Sequence, residues 1–161
     1  MTEIMTKPAQ EMDRLIELLD GRWDMAVTYE SSEMAPQGGS FTGQEISRRG
    51  PGGFSVLVES TSQGPAGPFE GFGTIHWSAE ERAYKLHWFT NVSPIPAVFT
   101  GKWEGNDLVF NGTEIMMGRA LASRHRITNI KPDSFHYVID MGPTSAQMKT
   151  VITIDYTKVK R

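Results

Sequence analysis

From Arg22 onward the chain is a succession of ten stretches in which apolar and polar residues alternate, and this pattern restricts the fold more than any other feature of the sequence. The stretches run Arg22 to Glu30, Ser40 to Arg49, Phe54 to Ser62, Phe69 to Ser78, Ala83 to Thr90, Ala97 to Trp103, Leu108 to Glu114, Ala120 to Asn129, Phe135 to Met141 and Met148 to Thr157. Residues two apart in a strand share a face, so each stretch presents one apolar side. No second helical period separates them. That excludes a parallel sheet with crossover helices and leaves a meander of hairpins. Ten strands in up-and-down order close into a barrel whose interior is too wide for side chains alone to fill. The expected fold is therefore all-β, an antiparallel up-and-down barrel of about ten strands.

Turn chemistry supports the hairpins. Ala79 to Arg82, Glu104 to Asp107 and Lys131 to Ser134 are short and polar, with Gly, Asn or Pro-Asp where a tight turn needs them. If Ala79 opposes Arg82, then Trp77 meets Tyr84, Ile75 meets Leu86, Gly73 meets Trp88, and Phe72 meets Phe89 on the other face. The longer segments Ser31 to Gly39, Gln63 to Pro68 and Asn91 to Pro96 read as rim loops, which strict alternation of ends would not place all at one rim. The inner face is assigned to Trp23, Met25, Val27 and Tyr29, then to Phe54, Val56 and Val58, and to the later aromatics.

Ahead of the strands, Met12, Leu15, Ile16 and Leu19 follow helical spacing after Pro8, and Gly21 supplies a stop. A helix over 8–20 with one apolar face is expected to close one end of the barrel. The whole chain is expected to be one domain, with a flexible terminus over 1–7 and the barrel over 22–157.

The chain has 161 residues and no cysteine, which removes disulfides, thiolate chemistry and Cys-based metal sites. A net charge of -3, with basic residues clustered only at Lys158, Lys160 and Arg161, argues against nucleic acid as a partner. There is no run of apolar residues long enough for a membrane-spanning helix and no signal-peptide core, so a cytoplasmic protein is expected.

Several short motifs, taken in order, carry a likeness. Leu18-Leu19-Asp20-Gly21-Arg22-Trp23, Phe69-Glu70-Gly71-Phe72-Gly73, Trp88, Gly101-Lys102-Trp103-Glu104 and Ile154-Asp155-Tyr156-Thr157-Lys158 resemble the bacterial family called domain of unknown function 1579. The resemblance covers nearly the whole chain. It implies a lipocalin-like (calycin) barrel and no established activity. In such barrels the Gly-x-Trp indole is covered by a basic side chain from the last strand, which implies a structural role for Gly21, Trp23 and Lys158 or Arg161. Family members tend to carry Arg in place of Lys158, and the two are not equivalent over an aromatic face. A weaker resemblance, to the haem-holding nitrobindin barrels, lacks both a His after His136 and the Gly-rich first-strand motif. No cofactor and no metal are expected.

An aromatic inner face makes a small apolar molecule the expected ligand, with Tyr29, Val56, Val58, Trp88, Phe99, Phe110, His125 and Tyr137 lining its site. Alternation puts His125 inward and His76, His87 and His136 outward. Phe110 then opposes His125 while Glu114 lies near Leu121 toward the same rim, and a carboxylate within reach of an imidazole is an arrangement used for general base work. A one-residue change in the loop Ile130 to Ser134 would bring Asp140, in place of Ile139, beside His125. Glu114, His125 and Tyr137 are thus the catalytic candidates for an alternative reading as an isomerase or cyclase; as a polar cluster they would equally orient a ligand. Arg48 or Arg49 is a candidate cavity cation, with Glu45 its competing internal partner. A third reading is a structural barrel forming a homodimer through Phe72 and Phe89. Nucleotide-binding loops, the Gly-x-Ser-x-Gly elbow and His-Glu-x-x-His are all missing.

Overall fold

The computed structural model describes residues 7–160. Helix α1 (Gln10–Leu19) precedes ten strands: β1 (Gly21–Tyr29), β2 (Gly39–Arg49), β3 (Ser55–Gly64), β4 (Gly67–Ser78), β5 (Ala83–Thr90), β6 (Ser93–Glu104), β7 (Asp107–Met116), β8 (Arg119–Lys131), β9 (Ser134–Gly142) and β10 (Lys149–Lys158). Each strand pairs antiparallel with its sequence neighbours, and β1 pairs with β10 to close the barrel. No helix among the described residues is long and apolar enough to cross a membrane.

The first β-hairpin after the helix sets the floor. Glycine is needed at position 21 because its φ of +134° is closed to other residues. The chain turns there from α1 into β1, and the Trp23 indole is carried under the barrel, where its Nε1–H donates to the Leu19 carbonyl at 2.8 Å. Lys158 is the register partner of Trp23, with its Nζ 5.4 Å from the centre of the indole. Phe135 and Tyr156 pack edge-on against the same ring. Met12, Leu15, Leu18 and Leu19 bury the apolar stripe of α1 in this floor. Two further ties hold the helix: the Tyr84 hydroxyl donates to the Glu11 carbonyl at 2.7 Å, and the Arg14 guanidinium lies 3.5 Å over Trp103.

The β4–β5 register matches the sequence expectation at Trp77–Tyr84, Ile75–Leu86, Gly73–Trp88 and Phe72–Phe89. Other details differ. The helix starts at Gln10, with Ala9 extended ahead of it. The expected flexible terminus falls mainly on residues 1–6, outside the described residues. Gln63 to Pro68 is a two-residue hairpin turn at Pro65-Ala66, with Gly64 opposite Gly67. Asn91-Val92 likewise turns directly into β6. Pro94 and Pro96 fit inside that strand because β6 pairs with β7 only from Val98 onward, so their missing N–H groups leave no ladder unsatisfied on that side.

The three segments taken as rim loops all lie at one end. They connect β1 to β2, β3 to β4 and β5 to β6, and odd-numbered connections of a meander share an end. Phe54 is also displaced from the inner face: a 3₁₀ turn over Pro51–Gly53 takes it out of β3 and leaves it 43% exposed.

Candidate binding cavity

Above the floor the barrel encloses a cavity of about 330 Å³ that reaches the rim. Small-molecule sites span roughly 300–1,000 Å³, so this one suits a compact ligand. Its wall is built by alternation: Met25, Val27 and Tyr29 from β1, Val58 from β3, Ile75 from β4, Leu86 and Trp88 from β5, Phe110 from β7, and Ile152 and Ile154 from β10. Met34, Pro65, Val92, Ile95 and Met117 form an apolar mouth. Arg119 of β8 is ion-paired with Glu33, which pins the loop carrying Met34 across the rim.

Of the eight residues expected to line a ligand site, Tyr29, Val58, Trp88, Phe110, His125 and Tyr137 line this cavity. Val56 and Phe99 are fully buried and lie outside the lining; Phe99 packs against the His125 ring at 4.6 Å between centroids. Trp88 lies over Gly71 and Gly73 of the neighbouring strand, so closely that a Cβ at either glycine would come within 2.5 Å of the indole.

A polar belt crosses the lower cavity. The His125 Nδ1 is 2.7 Å from the Tyr137 hydroxyl, and its Nε2 is 3.4 Å from Glu114 Oε2. Glu114 also accepts a 2.6 Å hydrogen bond from the Ser123 hydroxyl. A carboxylate only accepts, so in the neutral imidazole the proton sits on Nε2 and Nδ1 accepts from Tyr137. Burial acts to raise the Glu114 carboxyl, but the hydrogen bond and charge of His125, with the Ser123 hydroxyl, hold it below its ordinary value. Burial pushes the Tyr137 and Tyr156 phenols well above theirs, the nearby Glu45 adding to both, and this keeps them as donors.

The second half of the belt is Glu45, which sequence reasoning raised only as a partner for an arginine. It stands opposite Trp23 on β2 and accepts a 2.9 Å hydrogen bond from the Tyr156 hydroxyl. Burial raises its carboxyl to about 7, against the lowering effect of the Tyr156, Ser60 and Ser47 hydroxyls. Neither arginine lines the cavity. Arg48 points outward, 3.8 Å from Glu59, and Arg49 is exposed below, beside Gly53. The parity of β2 puts Glu45 inside and Arg48 outside, and Arg49 lies past the last layer of the cup.

The outer surface holds the remaining candidates. His76 and His87 stack at 5.8 Å on the outer face, and His136 is 2.7 Å from Asp155. Phe72 and Phe89 oppose each other there, both exposed. Arg124 and Arg126 each donate to Asp140 Oδ2 at 3.2 Å. Among the described residues, no group of three His, Cys, Asp or Glu side chains comes together to hold a metal.

Fold and cavity together define a closed ten-stranded barrel with a helical floor and an open cup. The chain belongs to the family described as protein of unknown function (DUF1579), whose model matches residues 7–158. Comparison with curated proteins returns no match. Among solved structures the chain is similar to Rv2717c from M. tuberculosis, at 13% identity and a TM-score of 0.66, covering 96% of this chain and 100% of that one. It is also similar to the S-type phycobiliprotein lyase CPES from Guillardia theta, at 13% identity and a TM-score of 0.62, over 92% and 93% of the two chains. A third likeness is to EF1p2_mFAP2b bound to DFHBI, at 15% identity and a TM-score of 0.50, over 92% and 99%. At these identities the likenesses establish the fold.

Proposed function

We propose that the protein binds a small, mostly apolar molecule in the barrel. The observation that carries this reading is the cavity of about 330 Å³, walled by aliphatic and aromatic side chains and open at an apolar rim, with a few convergent polar groups at depth. An occupant buries its body against Trp88, Phe110 and the aliphatic wall and directs its polar end to the belt. That one fold neighbour was solved bound to DFHBI supports this reading. The proposal places the protein in the cytoplasm without a nucleic-acid partner, in keeping with its net charge of -3. Titration with a panel of fatty alcohols, fatty acids and flavonoids, followed through tryptophan fluorescence, tests it: saturable one-site binding supports the reading, and no response to any member contradicts it.

A second reading, an isomerase or cyclase, is favoured by one specific observation, the continuous Tyr137–His125–Glu114 chain facing the cavity. There Glu114 orients the imidazole, and His125, when protonated on both nitrogens, donates from Nδ1 to the Tyr137 oxygen, which frees the phenol proton for the substrate's oxygen. A conversion assay of wild type against His125→Ala separates the two readings, since equal rates on any substrate found remove His125 from the chemistry.

A further inference from the structure

The titratable groups of the cavity wall are mainly acidic. Its described lining carries two carboxyl groups, Glu45 and Glu114, one imidazole, His125, and neither lysine nor arginine. Glu114 is already held by His125 and Ser123. Glu45 accepts from the Tyr156 hydroxyl and, unlike Glu114, has no imidazole against it. The groups facing it are Trp23 from β1, Ser60 from β3 and Tyr156 from β10, with Tyr137 of β9 next along the belt and then His125 of β8 and Glu114 of β7. None is a fixed cation. Lys158, the cation at the floor, sits over Trp23 and does not line the cavity. Beside Glu45 the Ser60 hydroxyl turns to the Met25 sulfur at 3.5 Å, and the Ser47 Oγ is buried without a partner. A carboxylate this deep without a counter-ion is costly to ionise, and a cation brought in by a ligand removes that cost.

We propose that the ligands of this cup are lipophilic amines, each an apolar body in the cavity with one ammonium group seated on Glu45. The proposal rests on the ligand-binding reading above and narrows it. A lipophilic acid meets the opposite situation, a carboxylate facing two carboxyl groups with no fixed cation, and is rejected by like charge. An alcohol of the same length gains a hydrogen bond and no ion pair. Seating an ammonium ionises Glu45, so below pH 7 binding releases a proton, and affinity rises roughly tenfold per pH unit until it levels above that value.

The test titrates the protein at pH 8 with octylamine, octan-1-ol and octanoate, reading tryptophan fluorescence and calorimetric heat. Octylamine is then repeated at pH 6 in two buffers of different ionisation enthalpy, and with Glu45→Gln. Octylamine is expected to bind at least about tenfold tighter than octan-1-ol, with octanoate weakest. At pH 6 its affinity drops roughly tenfold, with proton release to the buffer. Glu45→Gln brings the amine-to-alcohol ratio close to one. The amine assignment falls, and the cup survives, if octan-1-ol or octanoate binds as tightly as octylamine, if the pH 6 titration releases no proton, or if Glu45→Gln keeps the amine's margin. If none of the three probes binds, the ligand-binding reading falls and this proposal with it.

Discussion

The Trp23 indole N–H donates to the Leu19 carbonyl at 2.8 Å, so the first inward aromatic of the barrel is bonded to the last turn of the helix that precedes it. One hydrogen bond thereby joins the helical floor to the strand that closes the barrel. Trp23→Phe keeps a ring in place and orphans that carbonyl, at an expected cost of about 1–2 kcal/mol in urea unfolding. Gly21→Ala forces a non-glycine residue to φ +134° and brings a Cβ within 2.8 Å of the Lys158 side chain. The flexible lysine moves aside but the backbone strain stays, giving a loss of about 1–3 kcal/mol.

Stability against pH is expected to be governed by Glu45. Its folded carboxyl lies near 7 and its ordinary value is 4.5, so between these values the folded chain holds the extra proton. Stability is then fully present below the unfolded value and falls as pH rises towards 7, by about 3 kcal/mol in all. Glu114 has the opposite sign: its carboxyl is depressed, so its contribution is present above its unfolded value and lost in acid as pH falls through the folded one. Thermal melts from pH 5 to pH 8 check the Glu45 slope, and melts continued below pH 4.5 check Glu114. Glu45→Gln is expected to flatten the slope and to be the more stable protein at pH 8.

Gly73→Ala is expected to push Trp88 off the strand it covers, because the new Cβ stands 2.5 Å from Trp88 Cε3 and 3.2 Å from the His87 carbonyl oxygen. The rigid indole has nowhere to go but the cavity. The cost is about 1–3 kcal/mol, and a shifted tryptophan emission maximum reports the displaced ring.

Asp140→Ala is expected to loosen the outer face of β8 and β9. Burial works to raise the Asp140 carboxyl, and the Thr150 hydroxyl with the Arg126 and Arg124 guanidiniums outweighs it, holding the group below its ordinary value. Removing it leaves two arginines without their acceptor, at a cost of about 1–3 kcal/mol by urea unfolding.

The strands were legible because their apolar alternation is strong and their polar turns are short. Trp77, Ile75 and Gly73 find Tyr84, Leu86 and Trp88 as read, since a four-residue turn leaves one register that keeps the aromatics together. His125 meets Ile139 and Ile127 meets Tyr137 only because a bulge between Thr128 and Lys131 shifts β8 by one residue from the register that the Lys131–Ser134 turn starts, and this brings Glu114, His125 and Tyr137 into one chain of contacts. The rim was less legible. Pro-rich segments look like loops, yet Pro94 and Pro96 sit in a strand whose far edge is unpaired. Glu45 was hidden because the inward residues of β2, Phe41, Gly43, Glu45 and Ser47, are mostly not apolar, so alternation there gives no vote. The signal that finds it is the β1–β2 hairpin register, which places it opposite Trp23.

The central claim is that the cup holds a small apolar molecule, and filling the cup tests it most directly. Ala97 lines the cavity, and Ala97→Phe puts a ring into the open volume without removing a packing group. Titration of both proteins with octan-1-ol, followed by tryptophan fluorescence, is expected to show one saturable site per chain in the wild type and none in the folded variant, with a matching thermal melt as control. No binding of octan-1-ol, octylamine or octanoate to the wild type, or equal binding of octan-1-ol to both proteins, would contradict the account.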